Sequence, residues 1–397
     1  MFSVLIPTRN RLNLLSYAVD TARRQDYHDW EIIISDNFSD EDISAYVHEL
    51  NDPRVKYFRT QSFIPVTDNW NYALSKSIGD YVIMLGDDDC LMRGYFSNLR
   101  KYIIDYNQPE LIYTGAFLYA YPGVMPDTLD GFLRPYKHRE IYRNANQPFW
   151  LEQSAASYLV AASLDFKVKF DYNMQFSLVS RKLIDKMSRH GKFYQSPYPD
   201  YYASNAMLLD ATRILIVPKP MVTIGISPKS FGFYYFNNAE LAGNEFLKNA
   251  ADPSLATKLA NIILPGVVMN TSWLFSMETL KNNFSDVNSI RVNYSRYRYL
   301  QISAVYAGVI LGKEEARDSL KAIKGKLLPV ELALYILPLT ALRLLSVAVP
   351  KKYRVYIANL ILRISASHPR GSSANIPGEF RNILDVFDKV DPMNSEV

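Results

Sequence analysis

The fold is decided by the stretch Tyr81-Val82-Ile83-Met84-Leu85-Gly86-Asp87-Asp88-Asp89, in which an apolar run leads directly into glycine and three aspartates. Its first part is predicted to be a buried strand, and the aspartates stand where that strand ends. Three adjacent carboxylates repel one another, so a fold that keeps them together needs positive charge beside them. Oxygen ligands suit Mg²⁺ or Mn²⁺ rather than zinc, which makes a divalent cation the first candidate. The alternative is an acidic turn in contact with solvent.

Outward from this stretch, apolar strands alternate with helical patterns. Further strands are predicted at residues 2–7, 31–35 and 55–58, and residues 15–22 carry apolar side chains at helical spacing. Such alternation predicts an α/β domain with a mostly parallel, Rossmann-like sheet and flanking helices. Ligands of these sheets bind beyond the carboxyl ends of the strands.

Polar residues follow the other strands at this same edge. Thr8, Arg9 and Asn10 come after the first strand, and Asp36 and Asn37 come after the second. Because these ends lie side by side in a parallel sheet, we expect the residues to line one crevice. Asp36 is suited to accept an N–H from a base, and Arg9 is suited to contact phosphate. The chain has neither a Gly-x-Gly-x-x-Gly loop after strand one nor a P-loop, which argues against those two nucleotide sites.

Composition excludes several classes of protein. The 397 residues are 48% hydrophobic and 21% charged, which is typical of a globular chain and not of a disordered one. A single cysteine, Cys90, excludes a disulfide framework and a cysteine-built zinc site, and the five histidines lack paired metal-ligand spacing. The first residues show no export signal, so we expect a cytoplasmic protein.

Positive charge is concentrated near the carboxyl end. Residues 321–370 hold nine Lys or Arg and one acid, Glu331, which gives this segment a net charge of +8. This distribution argues against nucleic-acid binding and favours an anionic surface such as the inner face of the cell membrane. The apolar tract at residues 327–349 is expected to lie on that membrane without crossing it, with Glu331 and Arg343 turned toward water. The alternative is that the segment packs on the protein or forms a homo-oligomer interface.

Two regions are predicted, an α/β domain at residues 1–235 and a mainly helical region at residues 236–397. Residues 111–143 are irregular and rich in tyrosine, glycine and proline, which we interpret as a long substrate loop. A helix is predicted through residues 198–209. The polar residues after Gly371 are expected to be loose.

Several motifs occur in a recognisable order over residues 1–95. They are Phe2-Ser3-Val4-Leu5-Ile6-Pro7-Thr8-Arg9-Asn10, Trp30-Glu31-Ile32-Ile33-Ile34-Ser35-Asp36-Asn37-Phe38-Ser39-Asp40, Asn69-Trp70-Asn71-Tyr72-Ala73-Leu74, Gly79-Asp80-Tyr81 and Leu85-Gly86-Asp87-Asp88-Asp89. This ordered set resembles the family 2 glycosyltransferases of the GT-A fold, of the type that builds bacterial surface polysaccharides. The resemblance implies inverting transfer of a sugar from a nucleotide-sugar donor, taken here as UDP-linked, to a glycan or lipid-linked glycan hydroxyl. It also implies a divalent metal, Mn²⁺ or Mg²⁺.

The resemblance assigns donor contacts to residues at two strand ends and on one helix. Pro7, Thr8 and Arg9 correspond to residues that line the nucleotide pocket. Asp36 corresponds to the aspartate that binds the base. Asn71 stands where the family often has a donor contact.

The same resemblance assigns the metal site to the aspartate run. Asp87 and Asp88 correspond to residues that approach the donor ribose and the metal, and Asp89 corresponds to the direct metal ligand. Gly86 stands where many members have aspartate, so the pair of ligands within residues 87–89, taken here as Asp87 and Asp89, depends on the register.

Inverting transfer also needs a base, because an acceptor hydroxyl is a poor nucleophile near neutral pH. Asp200 stands 111 residues after Asp89 and fits this role best under the resemblance, ahead of Asp171 and Glu152. The alternative is that Asp200 caps a helix. Lys229, in a later loop, is suited to offset pyrophosphate charge, and the alternative is an ordinary surface lysine.

The predicted function is therefore inverting, metal-dependent glycosyl transfer in cell-surface polysaccharide synthesis. Two other functions are open at this stage. A sugar nucleotidyltransferase also combines an α/β fold with Mg²⁺, although it usually carries a glycine-rich basic loop after strand one. A non-catalytic carbohydrate-binding or assembly protein could keep the fold without turnover.

Overall fold

The structure is a computed structural model. It describes residues 1–125, 128–136, 140–195, 197–228, 230, 233–234, 243, 247–248, 252–286, 290–365 and 374–392. The chain divides into two units. The first comprises Met1–Val160, Lys169–Ala250 and Gly371–Val397, and the second comprises Ala161–Val168 and Ala251–Arg370.

The first unit is built on a sheet of ten strands among the described residues. They are β1 (Phe2–Thr8), β2 (Trp30–Asp36), β3 (Val55–Arg59), β4 (Tyr81–Met84), β5 (Cys90–Leu91), β6 (Leu111–Ala120), β7 (Phe132–Pro135), β8 (Phe149–Leu151), β9 (Ser177–Ser180) and β10 (Ile214–Ile226). Their order across the sheet is β3-β2-β1-β4-β9-β6-β10-β5, with β7 beside β6 and β8 beside β10.

Strand direction confirms the predicted mostly parallel core. β1 runs parallel to β2 and β4, β2 to β3, and β6 to β10, whereas β9 lies antiparallel between β4 and β6. Every residue of β2 is buried, as expected for a strand covered on both faces. The register pairs Thr8 with Asp36, so β1 and β2 end side by side.

Fourteen helices of four or more residues accompany these strands in the described chain, numbered here in chain order. They are α1 (Leu12–Arg23), α2 (Ile43–Leu50), α3 (Val66–Lys76), α4 (Tyr95–Asp105), α5 (Gln153–Leu164), α6 (Arg181–Met187), α7 (Pro199–Asp210), α8 (Pro253–Lys258), α9 (Val268–Asn283), α10 (Tyr294–Ile310), α11 (Glu314–Lys324), α12 (Pro329–Val347), α13 (Lys351–Ser365) and α14 (Ile383–Lys389). Short 3₁₀ turns occur at Glu140–Tyr142, Met174–Phe176 and Ser188–His190. The apolar positions predicted for α1 (Leu15, Ala18, Val19 and Ala22) are fully buried.

The interpretation of residues 111–143 as one long substrate loop is wrong for its first part. Leu111–Ala120 forms β6, an interior strand of the sheet in which all ten residues are buried. A strand buried on both faces shows no alternation of polar and apolar residues. Because β6 lacks this alternation and contains tyrosines, its sequence resembled that of a loop. Tyr113 shows why tyrosine fits here, because its ring is buried while its hydroxyl donates to the Asp171 carbonyl over 2.9 Å.

The second unit is helical in its described residues, as predicted for the chain beyond residue 240. Helices α10, α11, α12 and α13 enclose an apolar core that includes Ile302, Ile323, Leu339 and Ala358. By packing, this unit begins at Ala251 rather than at the predicted boundary after residue 235. The functional division at 235 stays a prediction.

The carboxyl-terminal residues are not loose throughout, in contrast to the expectation. Described residues 374–392 belong to the first unit, and α14 buries Ile383, Val386 and Phe387 there. The prediction rested on the polar composition of this segment and overlooked its three apolar side chains at helical spacing.

Candidate active site

The carboxyl ends of β1 and β4 bring a threonine, an arginine and two aspartates into one buried cluster. The Thr8 hydroxyl donates to Asp87 Oδ2 over 2.7 Å, and Arg11 Nη1 lies 2.7 Å from Asp87 Oδ1. Arg11 Nη2 donates to Asp88 Oδ2 over 2.8 Å. All four side chains are buried. One guanidinium therefore joins two of the three adjacent carboxylates.

The third aspartate is held by N–H donors instead. The backbone N–H of Gly225 donates to Asp89 Oδ1 over 2.8 Å, and that of Gly86 donates to Asp89 Oδ2 over 2.8 Å. The Gln175 amide also donates to Asp89 Oδ2, over 2.6 Å. Asp89 thus connects the end of β4 with the end of β10 and with the turn at residues 174–176.

Charge within the cluster is only partly balanced. Burial raises the pKa of Asp87, while Arg11 opposes that rise. Burial and the neighbouring charge of Asp88 raise the pKa of Asp89. Burial alone would lower the pKa of Arg11, but Asp87 and Asp88 hold it above its usual range. With one arginine beside three carboxylates, the cluster favours a further positive charge.

Gly225 allows the end of β10 to approach this cluster closely. A Cβ at this position would lie 2.0 Å from the backbone oxygen of Asp88. Two residues later, the Ser227 hydroxyl donates to Asp88 Oδ2 over 2.6 Å and accepts a hydrogen bond from Arg11. The chain after β10 therefore completes the site.

Sequence reasoning missed Arg11, Ser227, Gln175 and Gly225. Arg11 stands two residues beyond Arg9, and the need for positive charge beside three carboxylates was the signal that could have found it. The other three come from segments distant in sequence, and no local pattern marks them.

The residues predicted to line the nucleotide pocket are only partly brought together. Pro7 and Thr8 end β1 next to β2, and Thr8 belongs to the cluster. Arg9 does not contact the aspartates in the structure, and its guanidinium lies 3.9 Å from the ring centre of Phe63. Asp36 lies beside Thr8 in the register but is fully buried.

The carboxylate of Asp36 accepts hydrogen bonds from its own loop and from β3. Asp36 Oδ1 accepts from the Ser39 N–H over 2.9 Å, and Asp36 Oδ2 accepts from the Tyr57 hydroxyl over 2.7 Å. The base-binding role of Asp36 stays a prediction.

The Asn71 side chain forms hydrogen bonds with backbone groups of the protein. Its amide donates to the carbonyls of Thr67 and Tyr194, each over 2.9 Å, and its oxygen accepts from the Tyr194 N–H over 3.2 Å. Asn71 thus fixes the segment that precedes α7. A direct contact with the donor stays a prediction.

Asp200 lies in the first turn of α7. The residue before the helix is Tyr198, so Asp200 is not the N-cap, although its Oδ1 accepts from the Tyr201 N–H over 3.0 Å. Among the described residues, Asp200 Oδ2 has no hydrogen-bond partner. Burial raises the pKa of Asp200 to about 7. A carboxylate with this pKa is suited to accept a proton near neutral pH.

A ring contact links this turn to the segment that supports the aspartates. The Tyr201 and Tyr172 ring centres lie 4.5 Å apart, and Tyr172 stands three residues before Gln175, which donates to Asp89. Of the weaker base candidates, Glu152 is exposed just before α5 and Asp171 is buried. Lys229 lies outside the described residues.

The oxygen atoms of the aspartate cluster are the candidate ligands of a divalent cation. No group of three or more His, Cys, Asp or Glu side chains in the described parts of the chain is already arranged to hold a metal ion. Asp88 Oδ1 nevertheless accepts no hydrogen bond from those residues, and the atoms here that could ligate a cation are carboxylate and hydroxyl oxygens, with Arg11 as the one basic side chain in contact with them among the described residues. This chemistry suits Mg²⁺ or Mn²⁺ when substrate phosphates complete the shell. The resemblance made Asp89 the direct ligand, whereas the geometry favours Asp88, because both Asp89 oxygens already accept N–H groups.

Comparison with known families gives an independent result. Residues 3–149 match the family described as Glycosyl transferase family 2. A Campylobacter jejuni relative, GalNAc(5)-diNAcBac-PP-undecaprenol beta-1,3-glucosyltransferase, is 40% identical over 102 residues, which cover 25% of this chain and 33% of the relative. WcaA of Escherichia coli, named as a colanic acid biosynthesis glycosyl transferase, is 28% identical over 250 residues, which cover 59% of this chain and 80% of WcaA.

Among solved structures, residues 1–349 of Staphylococcus aureus TarS align with 80% of this chain and 87% of that one, at 12% identity and a TM-score of 0.45. The chain spans only a third of the length of the Campylobacter relative. The family match covers the strands β1 to β4, the aspartate run and Arg11. Residues 3–149 thus match glycosyl transferase family 2, and this part of the chain has the α/β sheet expected of the GT-A fold.

Proposed function

We propose that this chain is an inverting glycosyltransferase that moves a sugar from a nucleotide-sugar donor, UDP-linked, to a hydroxyl of a lipid-linked glycan in surface polysaccharide synthesis. One observation carries the proposal. Within a family 2 domain, Thr8 and Arg11 after β1 meet Asp87 and Asp88 after β4 in one cluster at the carboxyl edge of the sheet. That edge is where ligands of parallel sheets bind.

Each part of the cluster has a proposed task. Thr8 and Arg11 orient Asp87 and Asp88 toward the donor, and Asp88 Oδ1 is the atom left to bind a cation. Mn²⁺ or Mg²⁺ bound by Asp88, with Asp87 beside it, would neutralise charge on the donor diphosphate. Asp89 holds the loop through its three N–H donors.

Asp200 is proposed as the general base. Its Oδ2, which accepts no hydrogen bond from the described residues, would take the proton of the acceptor hydroxyl as that oxygen attacks the anomeric carbon. The sugar–phosphate bond breaks on the opposite face, so the anomeric configuration inverts and nucleoside diphosphate leaves. The pKa of about 7 supports this role, because a base acts best when its pKa lies near the operating pH.

The relatives and the charge distribution support the proposed acceptor and location. The Campylobacter relative is named for an undecaprenol-linked acceptor. A lipid-linked acceptor would bring the enzyme to the inner face of the cell membrane, and the net charge of +8 in residues 321–370 suits that location.

The test is release of nucleoside diphosphate. Purified protein is incubated with UDP-glucose, UDP-galactose, UDP-GlcNAc or UDP-GalNAc and an undecaprenyl-diphosphate sugar, with Mn²⁺ or with excess chelator. We expect UDP release with one donor, dependent on acceptor and metal. Pyrophosphate release from UTP and a sugar phosphate would indicate a nucleotidyltransferase instead. Donor binding without release under every condition would indicate the non-catalytic function.

A further inference from the structure

The second unit presents an apolar outer surface formed by α12 and α13. Of nineteen large hydrophobic side chains that are exposed in the described chain, twelve lie within residues 328–360. These twelve, called here the apolar face, are Leu328, Val330, Leu332, Leu334, Leu337, Leu344, Leu345, Val347, Tyr353, Val355, Tyr356 and Leu360. Soluble chains rarely expose so many in one place, so the apolar face requires a partner.

The opposite sides of the same helices are firmly packed. Glu331, at the start of α12, accepts from Arg298 of α10 in a double ion pair, with Nε–Oε1 and Nη2–Oε2 distances of 2.6 and 2.7 Å. The expectation that Glu331 turns toward water is therefore wrong. Leu339 is buried in the core of this unit, and Thr340 exchanges a hydrogen bond with Tyr306 over 2.9 Å. The two helices are folded parts of the unit, and the twelve exposed side chains lie outside its core of described residues.

A local change of geometry keeps α12 continuous across Pro338. The Leu337 N–H bonds to the Leu332 carbonyl five residues earlier, so residues 332–336 form a π turn. A proline inside a helix removes a hydrogen bond and crowds the preceding turn, and a π turn accommodates both effects. As a result, α12 continues as one helix from Pro329 to Val347 and carries exposed apolar side chains along its length.

The segment that carries the apolar face is strongly basic. Residues 321–370 hold nine basic residues, and their single acid is Glu331, which Arg298 neutralises in the core. Lys324, Lys326, Lys351 and Lys352 are exposed. A second copy of this surface would bring like charges together, whereas an anionic lipid surface complements them.

We infer that the apolar face docks in the plane of an anionic phospholipid bilayer, with its side chains among the acyl chains and the lysines at the headgroups. Tyr353 and Tyr356 stand beside Lys351 and Lys352, as aromatic residues do at membrane interfaces. The α12 helix is long and apolar enough to cross a membrane. Crossing, however, would separate Glu331 from Arg298 and take Leu339 out of the core, so docking in the plane is favoured. The inference concerns lipid binding alone and goes beyond the proposed transfer.

The experiment is flotation of the full chain with vesicles of phosphatidylcholine, with and without one quarter phosphatidylglycerol. We expect flotation with the anionic vesicles and less of it in high salt. The triple variant Leu334→Ser/Leu337→Ser/Leu344→Ser should bind at least tenfold more weakly. The double variant Lys351→Glu/Lys352→Glu should lose at least about fivefold per lysine, since each basic residue near such a surface contributes that much.

Matched controls are available on the first unit. Ile104→Ser removes an equally exposed apolar side chain, and Lys182→Glu/Lys192→Glu reverses two exposed lysines. Both should float like the wild type. Circular dichroism melts establish that every variant is folded, so that weak flotation reports binding.

Four results would overturn the inference. The wild type could fail to float with anionic vesicles at low salt, or the triple variant could float as well as the wild type. Light scattering without lipid could instead show that the wild type is an oligomer and the triple variant a monomer. That result would assign the apolar face to contact with a second copy of the chain. Resistance of the floated protein to extraction at pH 11 would show that α12 crosses the bilayer, and would overturn docking in the plane.

Discussion

At the scale of single residues, Arg11 is the side chain on which the aspartate cluster depends. It is buried and lies within 2.8 Å of carboxylate oxygens of both Asp87 and Asp88. Removing one partner of a buried ion pair leaves the other charge without compensation, which typically costs about 3–5 kcal/mol. We expect Arg11→Met to lower the free energy of unfolding by this amount, measured by urea denaturation at pH 7.5.

A neighbouring arginine provides the control for that measurement. Arg9→Met removes only the contact with the Phe63 ring, and we expect a loss of about 1 kcal/mol or less. Adding Asp88→Asn to Arg11→Met should recover part of the lost stability, because it removes one uncompensated charge. Equal effects of the two single arginine variants would contradict the charge-balancing role of Arg11.

Asp200 gives a prediction about pH. If Asp200 is the base, kcat must rise with pH through about 7, where its carboxyl loses the proton. Asp200→Asn should reduce kcat by about 10²–10⁴-fold and abolish this rise, while donor KM changes little. Normal turnover in Asp200→Asn would exclude the assignment, and Ser204→Ala, one helical turn further along α7, is the matched control.

The same group predicts an opposite trend in stability. Because burial raises the pKa of Asp200 above its unfolded value, the folded state binds the proton more tightly. Stability contributed by Asp200 is therefore present at low pH and decreases as pH rises from about 4 to about 7. We expect Asp200→Asn to raise the Tm more at pH 8 than at pH 5, measured by differential scanning calorimetry. A loss of stability at both values would instead indicate a structural role.

At the scale of elements, the close approach of β10 to the end of β4 determines whether the site forms. Gly225 donates its N–H to Asp89, and a Cβ there would overlap the Asp88 backbone oxygen. Gly225→Ala should lower the free energy of unfolding by about 1–3 kcal/mol, the usual cost of overpacking, and should reduce UDP release more than stability alone explains. Gly325→Ala is the control, because no atom lies within 4 Å of its Cβ position. If the two glycine variants behave alike, the approach is not required.

The elements also show how far sequence reasoning reaches. β1, β2, β4 and α1 were predicted because each is a local pattern of apolar residues ended by polar ones. The contribution of Thr8 and Asp87 to one crevice followed from the geometry of parallel sheets. β6 was missed because a strand buried on both faces carries no alternation, and Gln175, Gly225 and Ser227 were missed because only tertiary packing brings them to the aspartates. Glu331 was misplaced because sequence alone gives no sign of its partner Arg298, 33 residues earlier.

At the scale of the whole molecule, the chain leaves the first unit, builds the second and then returns to the first. The returning segment packs α14 against α1 and β5, where Phe387 is buried and the Arg24 guanidinium lies 4.8 Å from its ring centre. Tyr119 of β6 donates its hydroxyl to the Phe380 carbonyl over 2.9 Å. A polypeptide cut after α13 would therefore lack part of the core of the first unit.

The prediction at this scale is that Phe387 stabilises the first unit although it stands near the carboxyl end of the chain. Phe387→Ala should lower the free energy of unfolding by about 3–5 kcal/mol, because it leaves a cavity beneath α14. Asp388→Asn, which removes only an exposed ion pair with Arg24, should cost about 1 kcal/mol or less.

The two units need not unfold together, so the measurement requires a probe confined to the first unit. Trp30, Trp70 and Trp150 lie in the first unit and Trp273 in the second, so tryptophan fluorescence in a Trp273→Phe background reports on the first unit alone. If Phe387→Ala leaves this transition unchanged, the returning segment is dispensable for the first unit, and a chain ending at residue 365 should then keep its full stability.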